Sequence, residues 1–163
     1  MSFSPPSAKI SIGSLDEQGL SVDAQYNPKD LQIDKTVPWQ KHKKPNTDGL
    51  QYEFTGAEGR TMSLDLMFDG VEENESVSPL VSVLETLATV RDPSSTDPEM
   101  RRPHQCVVVW GTVIGGDNNF KCVITQLSVK YTMFSNDGNP LRATVTVKLQ
   151  EASRVSMAAP GDA

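Results

Sequence analysis

The sequence predicts a mainly β chain of two antiparallel sheets with one flanking α-helix, and three observations carry that reading. Apolar and polar residues alternate strictly from Leu127 to Met133, with Phe134 on the polar row, and again, after one turn, from Leu141 to Leu149. A period of two over such a length marks a half-buried antiparallel ribbon. Shorter alternating runs recur through the rest of the chain, punctuated by Gly and Pro. Only one segment, following Ser78, carries apolar residues at helical spacing. Eight or so strands and a single helix point to a closed barrel or a tight sandwich with the helix plugging one side.

The elements follow in order. Residues 1–8 are Pro/Ser-rich and residues 152–163 are small, so both are expected to be flexible tails of one domain spanning residues 1–151. Lys9 to Ile12 and Leu20 to Tyr26 alternate as strands, and Asn27-Pro28 ends the second. Leu31 to Val37 is a third strand, stopped by Pro38. Trp39 to Thr47 reads as a basic loop with Lys41, Lys43 and Lys44. Gln51 to Phe54 and Thr61 to Phe68 are further strands around a glycine-rich bend, Gly56 to Arg60.

The helix is expected to be capped by Ser78, to open on Pro79 and to present Leu80, Val83, Leu84, Leu87 and Arg91 as its stripe before Asp92-Pro93 stops it. Gln105 to Trp110 is a nearly continuous apolar strand, which predicts cover on both faces. Phe120 to Thr125 leads into the long ribbon. The two apolar rows of that ribbon share a face only if paired positions sum to an even number. An odd loop near Gly138, or a bulge, meets this condition. It predicts Val129 near Val147 and Thr132 near Thr144, with Gly138 or Asn136 at positive φ.

Charge and composition exclude several functions. The formal net charge of -6 argues against nucleic-acid binding, which needs basic clusters to neutralise phosphates. No apolar run is long enough to cross a bilayer, and the N-terminus lacks the pattern of a signal peptide, so folding in a reducing cytoplasm is expected. The turn residues 115–119 place Cys106 opposite Ser128 and Cys122 opposite Thr112, so the two cysteines read as separate buried fillers rather than a bridge. His42 and His104 are the only histidines. Both read as solvated loop residues, too few for a zinc site and without a nucleophile motif beside them. Asp65 and Asp69 alternate with apolar residues and read as a solvated strand face. The Asn74-Glu75-Ser76 sequon has no secretory signal beside it. No catalytic residue, metal or cofactor is expected, and the chain reads as a non-enzyme.

The Lys41, Lys43 and Lys44 loop remains as a candidate docking arm, with Trp39 as a buried anchor at its base. In a net-negative chain such an arm offsets repulsion between copies.

A set of segments, in order, completes the reading. Tyr26-Asn-Pro-Lys-Asp-Leu-Gln-Ile33, Val37-Pro-Trp-Gln40 and Phe54-Thr-Gly-Ala-Glu-Gly-Arg60 lead into Leu64-Asp-Leu-Met-Phe-Asp69. Arg102-Pro-His-Gln-Cys-Val-Val-Val-Trp-Gly111, Leu127-Ser-Val-Lys-Tyr-Thr-Met-Phe134 and Pro140-Leu-Arg-Ala-Thr-Val145 follow. From about Ala8 to Glu151 the chain resembles the tube proteins of contractile injection systems, the phage-tail-like particles of bacteria. The resemblance implies a tail-tube-like barrel of two curled sheets with a flanking helix, and a homohexameric ring. It implies a tube initiator or adaptor between the spike or baseplate hub and the inner-tube rings, in reach of sheath and baseplate components. Assembly would take place in the bacterial cytoplasm, within a particle that is released or retained, without direct membrane insertion. Many such proteins carry a C-terminal LysM module, and no LysM sequence follows Glu151 here. Candidate ring-interface residues are Trp39, Lys41, Lys43, Lys44, Glu58 and Arg60. Candidate lumen-facing residues are Ser128, Lys130, Thr132, Arg142, Thr144 and Thr146. The alternatives are the bulk shaft tube protein of the same particle and a free-standing β-sandwich binding module.

Overall fold

A computed structural model describes residues 9–28, 31–43, 49–56, 59–111 and 120–152. Of the two expected tails, residues 1–8 and 153–163 lie outside the described residues, as do Lys44, Glu58 and the side chain of Lys43, while Ala152 donates its N–H to the Lys121 carbonyl at 2.8 Å. The strands are β1 (Ser11–Ser14), β2 (Ser21–Asp23), β3 (Gln32–Asp34), β4 (Trp39–Lys43), β5 (Leu50–Phe54), β6 (Thr61–Asp69), β7 (Cys106–Val109), β8 (Phe120–Phe134) and β9 (Pro140–Glu151), with helix α1 (Ser78–Leu87) between β6 and β7. Seven strands form one sheet in the order β2-β1-β7-β8-β9-β6-β3, and β4 pairs with β5 in a second, two-stranded sheet. Every ladder is antiparallel.

One face of the large sheet builds the core. Met62, Leu64, Leu66 and Phe68 of β6 lie beside Leu149, Val147, Val145 and Ala143 of β9, and all eight are buried. Ile12, Val22, Cys106, Val108, Phe120 and Cys122 belong to the same apolar cluster, so the sheet curls until its β2 end and its β6 side share one interior. Val77, Val81, Leu84 and Leu87 of the helix close it. The helix therefore buries a stripe turned from the expected one: Leu80 is exposed and Val81 is in the core. Its N-cap is Val77, with no side-chain cap, and Pro79 sits in the first turn as expected.

The ladder does not close into a barrel among the described residues, because β2 and β3 are its two ends. A side chain fastens the curl instead. Gln25, just past β2, donates from Nε2 to the Asp69 carbonyl at 2.8 Å and accepts from the Asp69 N–H at 2.7 Å. The amide thus imitates one rung of a strand ladder across the gap.

The long ribbon keeps the even parity but not the expected register. Val129 faces Val145, Leu127 faces Val147 and Lys130 faces Thr144, which is two residues away from the Val129–Val147 expectation. Thr132 has no partner in the ladder, because irregularities fall between Tyr131 and Met133 and between Ile124 and Gln126. The turn is closed by Ser135 N–H to the Asn139 carbonyl at 2.8 Å and Gly138 N–H to the Ser135 carbonyl at 3.0 Å. Gly138 has φ of 84°, the left-handed conformation expected there.

Two further expectations change. Cys106 and Cys122 face each other directly across the β7–β8 ladder, both buried and both free thiols. The pairing centre lies nearer the start of the connecting segment than its Gly/Asn-rich stretch indicated. β7 is covered on one face only, since Val109 is exposed.

His104 is not a solvated loop residue: it is 3% exposed, with Nδ1 2.8 Å from the Ser14 hydroxyl. That hydroxyl already accepts the N–H groups of Asp16 and Glu17, so its proton goes to His104 Nδ1 and the ring is neutral with its proton on Nε2. Burial and the nearby Arg91 lower the basicity of His104 in the same direction. Beside it Arg102, 7% exposed, grips Asp16 with two nitrogens at 2.8 and 3.1 Å, and the Gln105 N–H adds a third bond to that carboxylate at 2.7 Å. These contacts tie the segment before β7 to the turn after β1.

Candidate assembly surfaces

The candidate residues fall on three surfaces. The first is the outer face of the large sheet, opposite the core. Alternation puts Ser128 and Lys130 of β8 beside Thr146 and Thr144 of β9, and Asp65, Met67 and Asp69 of β6 beside Thr146, Thr144 and Arg142. The expected lumen-facing residues Ser128, Lys130, Arg142, Thr144 and Thr146 thus share one face with Lys148, whereas Thr132 falls at the irregularity without a ladder partner and Met133 stands opposite Arg142. Asp65 accepts a hydrogen bond from the Thr146 hydroxyl at 2.8 Å, and Asp69 pairs with Arg142 at 2.9 Å. A hydrogen bond from the Val71 N–H, together with Arg142, holds the Asp69 carboxyl below its usual range. Asp65 and Asp69 are thus tied into this face as structural partners, which agrees with their reading as a strand surface.

The second surface is the edge of β8. β7 accompanies only Phe120 to Cys122, so from Val123 to Phe134 the side of β8 away from β9 has no strand beside it among the described residues. Tyr131, Met133 and Phe134 at its far end are exposed, Phe134 to 59%. On the other flank of the ribbon, β3 accompanies β6 only from Thr61 to Ser63. Among the described residues β6 beyond Ser63 is a second open edge, blocked at Asp69 by Gln25.

The third surface is the β4–β5 hairpin, whose strand β5 was expected and whose strand β4 falls in a segment expected to be a loop. Trp39 pairs with Phe54 and Lys41 with Tyr52, so these four side chains share one face. The Trp39 and Phe54 rings lie 5.4 Å apart, and the Lys41 ammonium sits 5.9 Å from the Tyr52 ring centre. Trp39 is 56% exposed, so it is not the buried anchor expected from the sequence; within its own chain it is an uncovered aromatic. Tyr52 and Phe54 belong to the same patch and escaped the sequence reading. Their alternation with Gln51 and Glu53 was visible, but pairing them with Trp39 required the hairpin.

Arg60 is placed elsewhere. It binds Glu151 through Nε at 3.0 Å and Nη2 at 2.6 Å, and its guanidinium lies 5.1 Å over the Phe120 ring. The paired guanidinium lowers the Glu151 pKa. Arg60 therefore staples the start of β6 to the end of β9 inside the chain and is not brought together with the hairpin. No group of three or more His, Cys, Asp or Glu side chains arranged to hold a metal occurs among the described residues.

Residues 9–159 match the family model of the contractile injection system tube protein. The chain belongs to the contractile injection system tube protein family. Its role is accordingly structural, as part of the tube of such a particle. A search of curated proteins gives no match. Among the described residues, no helix of this tube protein is long and apolar enough to cross a membrane.

Proposed function

We propose that this tube protein closes with other copies of itself into a hexameric ring that serves as the initiator or adaptor between the spike or baseplate hub and the inner tube. One observation carries the reading: a single chain presents two different open strand edges, the long one of β8 and the shorter one of β6. Unpaired edges invite strand addition, and a chain left with both would aggregate unless they were covered. Two unlike edges that meet make a heterologous contact, and such contacts close into rings when the rotation allows. Joining β8 of one copy to β6 of the next would extend the large sheet from subunit to subunit into a continuous barrel, a closure that the isolated sheet lacks. The polar outer face, with Ser128, Lys130, Arg142, Thr144 and Thr146, and Thr132 at the bulge beside it, then lines the lumen, where a hydrated wall lets cargo slide without sticking.

The hairpin fits a second contact. An aromatic and basic face with Trp39 and Lys41, in a stretch of sequence that also carries Lys43 and Lys44, suits an acidic neighbour, and every copy of this chain is net negative. The initiator or adaptor position rests on the resemblance of the ordered segments. In that position the ring would template the next tube ring on one side and bind the hub on the other, with sheath and baseplate components nearby. The ring would assemble in the bacterial cytoplasm.

Labelling tests the lumen assignment, because both native thiols are buried. Thr132→Cys and Thr144→Cys in intact particles should react with a small maleimide and resist one coupled to a protein too large for the tube. Reaction with the large reagent would place this face outside and overturn the assignment.

A further inference from the structure

We propose that Cys106 and Cys122 form a reversible cross-strand disulfide when the protein meets an oxidising medium, locking β7 to β8. The two residues are direct register partners on adjacent antiparallel strands. Both point into the same core and are fully buried. Direct partners in such a ladder have Cα atoms about 4.5–5.5 Å apart and Cβ atoms at a similar spacing. A disulfide accepts Cα separations of roughly 4.4–6.8 Å and closes with a small inward shift of Cβ. Each thiol ionises reluctantly because it is buried, Cys106 pushed up to about 12 and Cys122 pushed further, with the neighbouring Cys106 a second cause at Cys122.

High thiol pKa values and burial have a consequence for timing. At neutral pH almost no thiolate is present, so the pair stays reduced in a cytoplasm buffered by reduced glutathione. Reaction requires the short strand β7, four residues long, to open from β8 and admit the oxidant. The oxidant is a low-molecular-weight disulfide such as oxidised glutathione. One cysteine thiolate attacks it, forming a mixed disulfide and releasing one molecule of the small thiol. The second cysteine then attacks the protein sulfur of that mixed disulfide, closing the Cys106–Cys122 bond and releasing the second. The two protein thiols lose two electrons and two protons, and the two small thiols receive them.

The bond would close a loop of about 17 residues, positions 106 through 122, which in the chain-entropy account raises stability by an amount equivalent to a rise of roughly 6–12 °C in Tm. The site thus provides a staple absent during folding in the cell and formed in a released particle.

The test uses the purified full chain, incubated with oxidised glutathione near its unfolding midpoint and then returned to native conditions. The proposal expects an intact mass lower by about 2 Da, a tryptic fragment joining Cys106 to Cys122, and a higher Tm that returns to the starting value on adding a reductant. Cys106→Ala and Cys122→Ala should each show glutathione adducts and no reversible rise. Because the wild-type chain is compared with itself before and after reduction, poor folding of a variant leaves the result readable. Two stable glutathione adducts, cross-linked dimers in place of the internal bond, or an internal bond without a rise in Tm would each overturn the proposal.

Discussion

Replacing Gln25 with Ala tests how the large sheet is held in its curl. The Gln25 amide makes two hydrogen bonds to the Asp69 main chain, at 2.8 and 2.7 Å, in a partly buried position. Truncation removes both and leaves one N–H and one carbonyl without their partner. At about 1 kcal/mol per neutral bond, with an added penalty for partly buried groups left unpaired, the loss comes to about 2–3 kcal/mol. For a chain of this size the corresponding fall in Tm is roughly 4–12 °C. Gln25→Glu separates the two bonds: a carboxylate still accepts from the Asp69 N–H but cannot donate to its carbonyl, and it brings a second negative charge towards the Asp69 side chain. It should therefore fail to restore wild-type stability. Guanidinium unfolding followed by tryptophan fluorescence measures the effect, and an unchanged m-value would assign it to stability rather than to compactness. A Gln25→Ala midpoint within about 0.5 kcal/mol of wild type would refute the reasoning, since that is the range of an ordinary surface substitution.

Other consequences are open to the same treatment. At Gly70 an added Cβ would meet the Glu75 carbonyl oxygen at 2.2 Å, so Gly70→Ala should cost about 2–3 kcal/mol in denaturant unfolding. Asp16→Ala removes the carboxylate paired with the buried Arg102 guanidinium and should cost about 3 kcal/mol by the same measurement. Trp39→Ala with Lys41→Glu removes exposed groups, so monomer stability should stay within about 0.5 kcal/mol while ring or particle assembly falls in sedimentation. Acid should destabilise the fold in two stages. The folded state lowers the His104 pKa, so the unfolded chain binds that proton first and stability declines as pH drops below about 6.5. Asp16 and Glu151 are also held low, so the stability from their pairing is lost below about pH 4. Unfolding midpoints from pH 8 to 3 report both stages, and His104→Gln should flatten the first alone.

The parts of the fold legible in the sequence were those that a local period encodes. The β9 row from Leu141 to Leu149 and the β6 row from Met62 to Phe68 alternate without interruption, and both bury the expected face. What depended on long-range geometry was lost. The β8–β9 register slipped by two residues because the turn between Phe134 and Pro140 is centred on Asp137 rather than on Gly138, a shift that leaves no mark in an alternating pattern. The helix turned because Val77, one residue before the expected cap, begins the buried stripe. His104 reads as a loop residue among Arg102, Pro103 and Gln105, and its burial beside Ser14, some ninety positions away, follows from long-range contacts that the local sequence does not show. For the candidate surfaces, the shared face of Ser128, Lys130, Thr144 and Thr146 was readable, since alternation fixes it between the two bulges. The open edges of β8 and β6 were not, because they follow from the shortness of β7 and β3, which composition does not set. Lys41 was readable by charge, whereas its aromatic companions Tyr52 and Phe54 needed the β4–β5 register.

The most direct test of the central claim is to count this chain against the sheath protein in purified native particles by quantitative mass spectrometry. An initiator or adaptor ring predicts about six copies per particle whatever the particle length. A copy number that rises with the sheath would make the chain the shaft tube instead, and its absence from the particles would contradict the account.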